Sequence, residues 1–241
     1  MAKLPTAADF PVELSPILHE PSTGKPVNII LFLAGLGDSS ANFSSFARAL
    51  NLPDTIAVTL QGPYPLPFPF GPGNQWSDDV QVDTFTGTFD ADSPLGRSTA
   101  QITEAVQKLI ADHGFAASQI LLFGNRQGGS VALAVALALQ KVSLGGVVSV
   151  GGSLPSSAAL APSLKNKTPL LLLGGRKGTL AKDDGSPVKR IKAAFEFVES
   201  HQWKRADDGL PRNREEALPM MQFLARRLKS RRGVPEEAVE I

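Results

Sequence analysis

The sequence predicts an α/β fold: one domain with a mostly parallel central sheet and helices on both faces. Three observations lead there. Nearly continuous apolar runs at 27–33, 120–123, 144–150 and 169–173 lack polar alternation, the mark of parallel strands covered on both sides. Glycine-bearing loops follow them at 34–40, 124–129, 151–155 and 174–178. Between them lie helical patterns, of which 95–113 is the clearest, with Ile102, Val106, Leu109 and Ile110 on one stripe.

Composition narrows the classes. The chain has 241 residues, 42% hydrophobic and 20% charged, enough for one substantial core. A formal net charge of +1 argues against general nucleic-acid or membrane-surface binding. The chain has no cysteine, which excludes disulfides, zinc–thiolate sites and cysteine catalysis, and fits a reducing compartment. Residues 1–23 lack the apolar core of a secretory leader, and no apolar run is long enough to span a membrane, so a cytoplasmic protein is expected.

In chain order, residues 1–26 are proline-dotted and read as an arm or strand over the sheet edge. The domain proper is placed at 27–232, and 233–241 is a tail. After the first strand, Asp38 or Ser39 is ready to cap a helix running to about Leu50. Residues 55–60 form the next strand. The segment 61–76 is too rich in proline for helix or interior strand. It reads either as a cover over a cleft, with Tyr64, Phe68 and Trp76 available to a ligand, or as a rigid surface loop. Residues 130–140 are the helix after the central strand. Residues 188–200 are read as a helix, 203–214 as a polar loop and 215–231 as a last helix. That helix is expected to face inward with Leu218, Met221, Gln222, Ala225 and Leu228. Arg226, Arg227, Lys229, Arg231 and Arg232 crowd its end and complement the macrodipole.

The organising stretch runs from Ile120 to Ser130 as strand, tight turn and helix. In a serine hydrolase, Gly-x-Ser-x-Gly at such a turn exposes the serine hydroxyl above the sheet. Here Gly124, Gln127, Gly128 and Gly129 keep the frame, and Arg126 holds the reacting position. A guanidinium stays protonated at ordinary pH and cannot attack.

The spaced motifs resemble the phospholipase/carboxylesterase family, which includes acyl-protein thioesterases, over roughly residues 27–230. Leu33-Ala34-Gly35-Leu36-Gly37-Asp38-Ser39 resembles its His-Gly-Leu-Gly-Asp loop. Gln61-Gly62-Pro63 and Trp76-Ser77-Asp78 sit where the family carries Ala-Pro and Trp-Phe-Asp. Residues 124–129 resemble Gly-Phe-Ser-Gln-Gly-Gly, and the strand ending in Leu154-Pro155 also matches. Chain length and Pro211-Arg212-Asn213-Arg214-Glu215-Glu216 resemble fungal members.

The resemblance implies an α/β-hydrolase fold and a Ser–Asp–His triad. At the matching positions stand Arg126 for the nucleophile, Gly178 for the acid, and Leu210 or Pro211 for the histidine; Ala34 replaces the loop histidine. The chain's three histidines, His19, His113 and His201, all precede the place where the base belongs. The backbone N–H groups of Leu36 and Gln127 would be the oxyanion hole. No residue cluster has the spacing of a metal site, and no cofactor is implied. Ser39, Ser40, Ser130 and Ser153 lie near the strand ends, without an obvious base. Asp78, Asp79, Asp183, Asp184 and Glu215 are the acids considered as partners for Arg126.

Three readings stay open. One is a non-catalytic family member with a protein partner or a homodimeric assembly. The second is a residual or rewired carboxylesterase or acyl-thioesterase. The third is a sensor of a small anionic or acyl ligand, held by Arg126 and the Tyr64, Phe68 and Trp76 loop.

Overall fold

A computed structural model describes residues 3–21, 26–79, 82–83, 88–89, 94–160, 164–181 and 185–230. In order the elements are β1 (Ile17–His19), β2 (Asn28–Leu33), α1 (Ser40–Ala49), β3 (Thr55–Leu60), β4 (Tyr64–Pro65), β5 (Asn74–Gln75), β6 (Val82–Asp83), β7 (Thr88–Phe89) and α2 (Gly96–Ala111). Then follow β8 (Ile120–Asn125), α3 (Gln127–Ala138), β9 (Gly146–Val150), β10 (Leu170–Gly174), α4 (Ser186–Ala194), β11 (Val198–Gln202) and α5 (Arg214–Arg227).

Seven strands form one sheet in the order β1-β3-β2-β8-β9-β10-β11. All its pairings are parallel except β1 with β3 at the edge. Strands β2, β3, β8, β9 and β10 are buried and mostly apolar because both faces are covered, and successive residues alternate between two cores; the edge strand β11 is largely exposed. Leu31, Leu33, Val58, Leu122 and Leu172 meet the helices α2, α3 and α4 through Ile102, Val131 and Ile191. Phe32, Leu121, Phe123, Val148 and Leu171 meet α1 and α5 through Phe43, Phe223 and Leu224. On that second face Phe32, Phe43, Phe46 and Phe123 form an aromatic group with ring centroids 5.3–6.4 Å apart. This is the doubly covered sheet expected from the apolar runs.

The N-terminal arm is fixed by its own chemistry. Phe10 and Leu14 enter the core. Buried His113 contacts the Lys3 carbonyl through Nδ1 at 3.1 Å and the Asp9 carboxylate through Nε2 at 3.3 Å. The Thr6 backbone N–H, with help from His113, holds the Asp9 carboxyl below the usual carboxylate range. Helix α1 is capped by Ser39, whose side chain accepts the Asn42 N–H at 3.3 Å.

Two sequence expectations need correction. Residues 188–200 are not one helix: α4 stops at Ala194, and β11 follows as the last parallel strand. Helix α5 turns a different face inward. Met220, Phe223 and Leu224 are buried, whereas Leu218, Met221, Gln222 and Ala225 face solvent; of the expected set only Leu228 packs on the core. Arg231, Arg232, Asp183, Asp184 and the 233–241 tail lie outside the described residues. Among the described residues no helix is long and apolar enough to cross a membrane.

Candidate active site

The carboxyl ends of β2, β8, β9 and β10 border a cavity of about 350 Å³. That is where open α/β sheets bind ligands, because the loops diverge there. Its wall includes Leu36, Arg126, Gln127, Ser130, Ser153, Lys177, Gly178 and Asp208.

The turn between β8 and α3 sets the geometry. Arg126 sits at φ 49° and ψ −115°, a left-handed conformation costly for a residue with a Cβ. Close packing enforces it. A Cβ on Gly124 would lie 2.3 Å from the Gly128 carbonyl oxygen, and one on Gly128 would lie 2.3 Å from that of Leu33. Strand, turn and helix therefore touch backbone to backbone. The Arg126 N–H donates to the Val150 carbonyl at 2.6 Å, and its own carbonyl accepts the Ser130 N–H at 3.0 Å. The position is thus held out above the sheet whatever side chain it carries.

Around it the polar groups divide into engaged and free. The Gln127 side chain accepts the Trp76 backbone N–H at 2.7 Å, and the Trp76 indole donates to the Ala34 carbonyl at 2.8 Å. The Ser130 hydroxyl accepts the Ser153 N–H at 3.1 Å. Among the described residues the backbone N–H groups of Leu36 and Gln127 donate to no protein acceptor, and both residues border the cavity. Arg126 donates one Nη2 hydrogen bond, 2.9 Å, to the Asp208 carbonyl, and no described carboxylate lies within ion-pair distance of it.

The opposite wall is built from the loop between β11 and α5. The amides of Arg176 and Lys177 donate to the carbonyls of Arg205 and Ala206 at 2.8 and 2.9 Å, which lays this loop over the end of β10. Arg205 stacks on the buried Trp203 ring at 4.3 Å, pairs with Glu216 at 3.2 Å and reaches the carbonyls of Gly209 and Leu210. The loop so braced drives Asp208 inward. Its carboxylate accepts the Gly175 N–H at 2.9 Å and the Thr179 N–H at 2.8 Å. It does so in space that only glycine leaves open: a Cβ on Gly178 would lie 1.9 Å from Asp208 Oδ1, and one on Gly151 2.6 Å from Asp208 Cβ.

The structure thus brings Arg126, Gly178, Leu36 and Gln127 to one cavity. Pro211 is not in its wall; Asp208 faces Arg126 instead, and Leu210 packs on the core. Tyr64, Phe68 and Trp76 of the 61–76 segment are not among the residues that line this cavity. Trp76 is 1% exposed with both its N–H groups bonded inside the protein. Phe68 is 98% exposed at the tip of the β4–β5 hairpin. Tyr64 is half-buried beneath the Arg97 guanidinium, 5.8 Å from the ring centre. The hairpin is anchored to the 35–38 loop by the Gly37 N–H to Asn74 carbonyl bond, 2.8 Å.

Of the acids considered for Arg126, the described ones, Asp78, Asp79 and Glu215, do not line the cavity. Glu215 pairs with Lys204 at 2.7 Å on the surface, which lowers its own pKa and raises that of Lys204. No histidine borders the cavity: His113 pins the N-terminal arm, His19 lies on β1 and His201 is exposed on β11. The Ser39 hydroxyl caps α1, and that of Ser40 donates to the Ser15 carbonyl at 2.6 Å. Asp208 was not among the residues singled out from the sequence. Its nearest signal is the glycine set at 151, 174, 175 and 178, and nothing local ties that set to residue 208.

A mostly parallel sheet covered on both faces, with a strand–elbow–helix beside a cavity at its carboxyl end, defines an α/β-hydrolase. The solved structure of acyl-protein thioesterase 2 from Zea mays has the same fold at TM-score 0.67, with 21% identity, over 89% of this chain and 99% of that one. Residues 19–214 match the phospholipase/carboxylesterase family, and the chain belongs to that family. It is 30% identical to an uncharacterized hydrolase of Schizosaccharomyces pombe over 219 residues, 89% of each chain. It is 28% identical to an acyl-protein thioesterase 1 of Mycosarcoma maydis over 200 residues, 74% of this chain and 78% of the other.

Proposed function

We propose that this chain is a non-catalytic member of the phospholipase/carboxylesterase family that keeps the hydrolase scaffold and its cleft. The observation that carries the reading is Arg126 at the tip of the elbow. The sequence resemblance gives this position to the family's attacking group, and a guanidinium has neither a proton to give up at ordinary pH nor a lone pair for acyl transfer. The surroundings agree with it. The cavity wall has hydroxyls but no imidazole to activate them, and Asp208 spends its carboxylate on two backbone N–H groups. The absence of cysteine supports a cytoplasmic setting, and the relatives in S. pombe and M. maydis support a fungal type.

A second reading, residual ester or thioester hydrolysis, is favoured by one feature. The free N–H groups of Leu36 and Gln127 keep the means to stabilise an oxyanion, which alone sustains some rate over water. The assay that separates the two uses p-nitrophenyl acetate, p-nitrophenyl butyrate and an acyl-thioester on the wild type, Arg126→Ala and Arg126→Ser. The expected result is no saturable turnover by the wild type above Arg126→Ala. Saturable wild-type turnover that survives Arg126→Ala overturns the non-catalytic reading.

A further inference from the structure

We infer that the cavity binds the carboxylate of a small organic acid, one oxygen on the N–H groups of Leu36 and Gln127 and the other on the Arg126 guanidinium. The inference deepens the non-catalytic reading and rests on it.

The charge balance of the wall comes first. Among the described residues four charged side chains border the cavity: Arg126, Lys177, Asp207 and Asp208. Both acids are turned to other partners. Asp207 pairs with Arg205 at 3.0 Å and Arg212 at 2.6 Å, and Asp208 serves the N–H groups of Gly175 and Thr179. Neither basic group has a carboxylate within ion-pair distance among the described residues. Arg126 is exposed, and its guanidinium, whose one hydrogen bond among the described residues goes to a carbonyl, retains most of its five donors for something else.

Geometry then selects the anion. In this fold the two hole N–H groups converge on a single oxygen, the one borne by the carbon under attack. The elbow carries residue 126 beside the hole, and its side chain lines the same cavity. With serine there, the arrangement suits a carbonyl. With arginine there, the second substituent on that carbon meets a cation that favours a planar, charged partner, and a carboxylate supplies it. A phosphate would bring further oxygens toward a wall that also holds the carboxylates of Asp207 and Asp208. The cavity of about 350 Å³ has room for a short chain behind the carboxylate.

The test is isothermal titration of butyrate into the full chain, beside methyl butyrate and inorganic phosphate. It is repeated on Arg126→Ala and Arg126→Lys, with the melting curve of each unliganded variant as the check on folding. For so few atoms a dissociation constant on the order of 1 mM is expected. Butyrate should saturate the wild type, weaken about 10-fold or more in Arg126→Ala and less in Arg126→Lys, which keeps the charge but loses the fork; methyl butyrate should not bind. Butyrate binding equally to wild type and Arg126→Ala, or no binding well above that concentration, overturns the inference. Phosphate binding as tightly as butyrate with the same dependence on Arg126 overturns the assignment to a carboxylate. Butyrate cannot be hydrolysed, so failure here is distinct from failure of the non-catalytic reading, which is read from ester turnover in the same preparations.

Discussion

The elbow at Arg126 and the turn after β10 have taken opposite courses. At the elbow the backbone is fixed by its neighbours and the side chain is not. Gly124, Gly128 and the strands around them are in backbone contact, so the turn is dictated by packing that does not depend on residue 126. Across the cavity Gly178 has no side chain, and the space beside it is filled from another segment, by Asp208. A side chain at the tip of a rigid turn can be exchanged without consequence for the turn. A cleft wall without a side chain leaves room, and a neighbouring loop fills it.

The largest effect expected from this contrast is at the elbow. Gly124→Ala forces a Cβ to within 2.3 Å of a backbone oxygen, and neither strand nor helix can yield cheaply. Urea unfolding should show a loss of about 4 kcal/mol, or no folded chain. A loss under about 1 kcal/mol would mean that packing does not dictate the turn.

The next effect sharpens the other half. Gly178→Ala meets a carboxylate rather than backbone, 1.9 Å away, and should displace it at a cost of about 2 kcal/mol. Asp208→Ala strands the amides of Gly175 and Thr179 and should cost about 1–3 kcal/mol. Together the two changes should cost less than their sum by about 1 kcal/mol, since the alanine at 178 no longer has anything to expel. Strict additivity would show that Asp208 does not fill the space beside Gly178.

How much of this was legible in the sequence follows the same divide. The buried strands and the elbow glycines declare themselves locally, because continuous apolar runs and close backbone approach each constrain the residues involved. Residues 188–200 misled because Phe195, Phe197 and Val198 suit a strand as well as a helix stripe, and short apolar patterns cannot decide. In α5 two apolar stripes lie side by side. Only the shape of the sheet beneath selects Met220, Phe223 and Leu224 over Leu218 and Met221. The aromatic 61–76 segment reads equally as a cleft cover or a rigid surface loop, because its anchoring to the 35–38 loop is a contact that local composition does not encode. Asp208 was hidden because its partners stand about thirty residues upstream, at Gly175 and Thr179, and no periodicity spans that distance.

The central claim is that nothing at this site attacks an acyl carbon. It is tested most directly by intact-mass spectrometry of the wild type and Arg126→Ser after incubation with a fluorophosphonate, which phosphonylates an activated serine. The wild type should keep its unmodified mass. A stoichiometric adduct on the wild type, mapped to Ser130 or Ser153, would contradict the claim and show that the cavity has recruited another nucleophile.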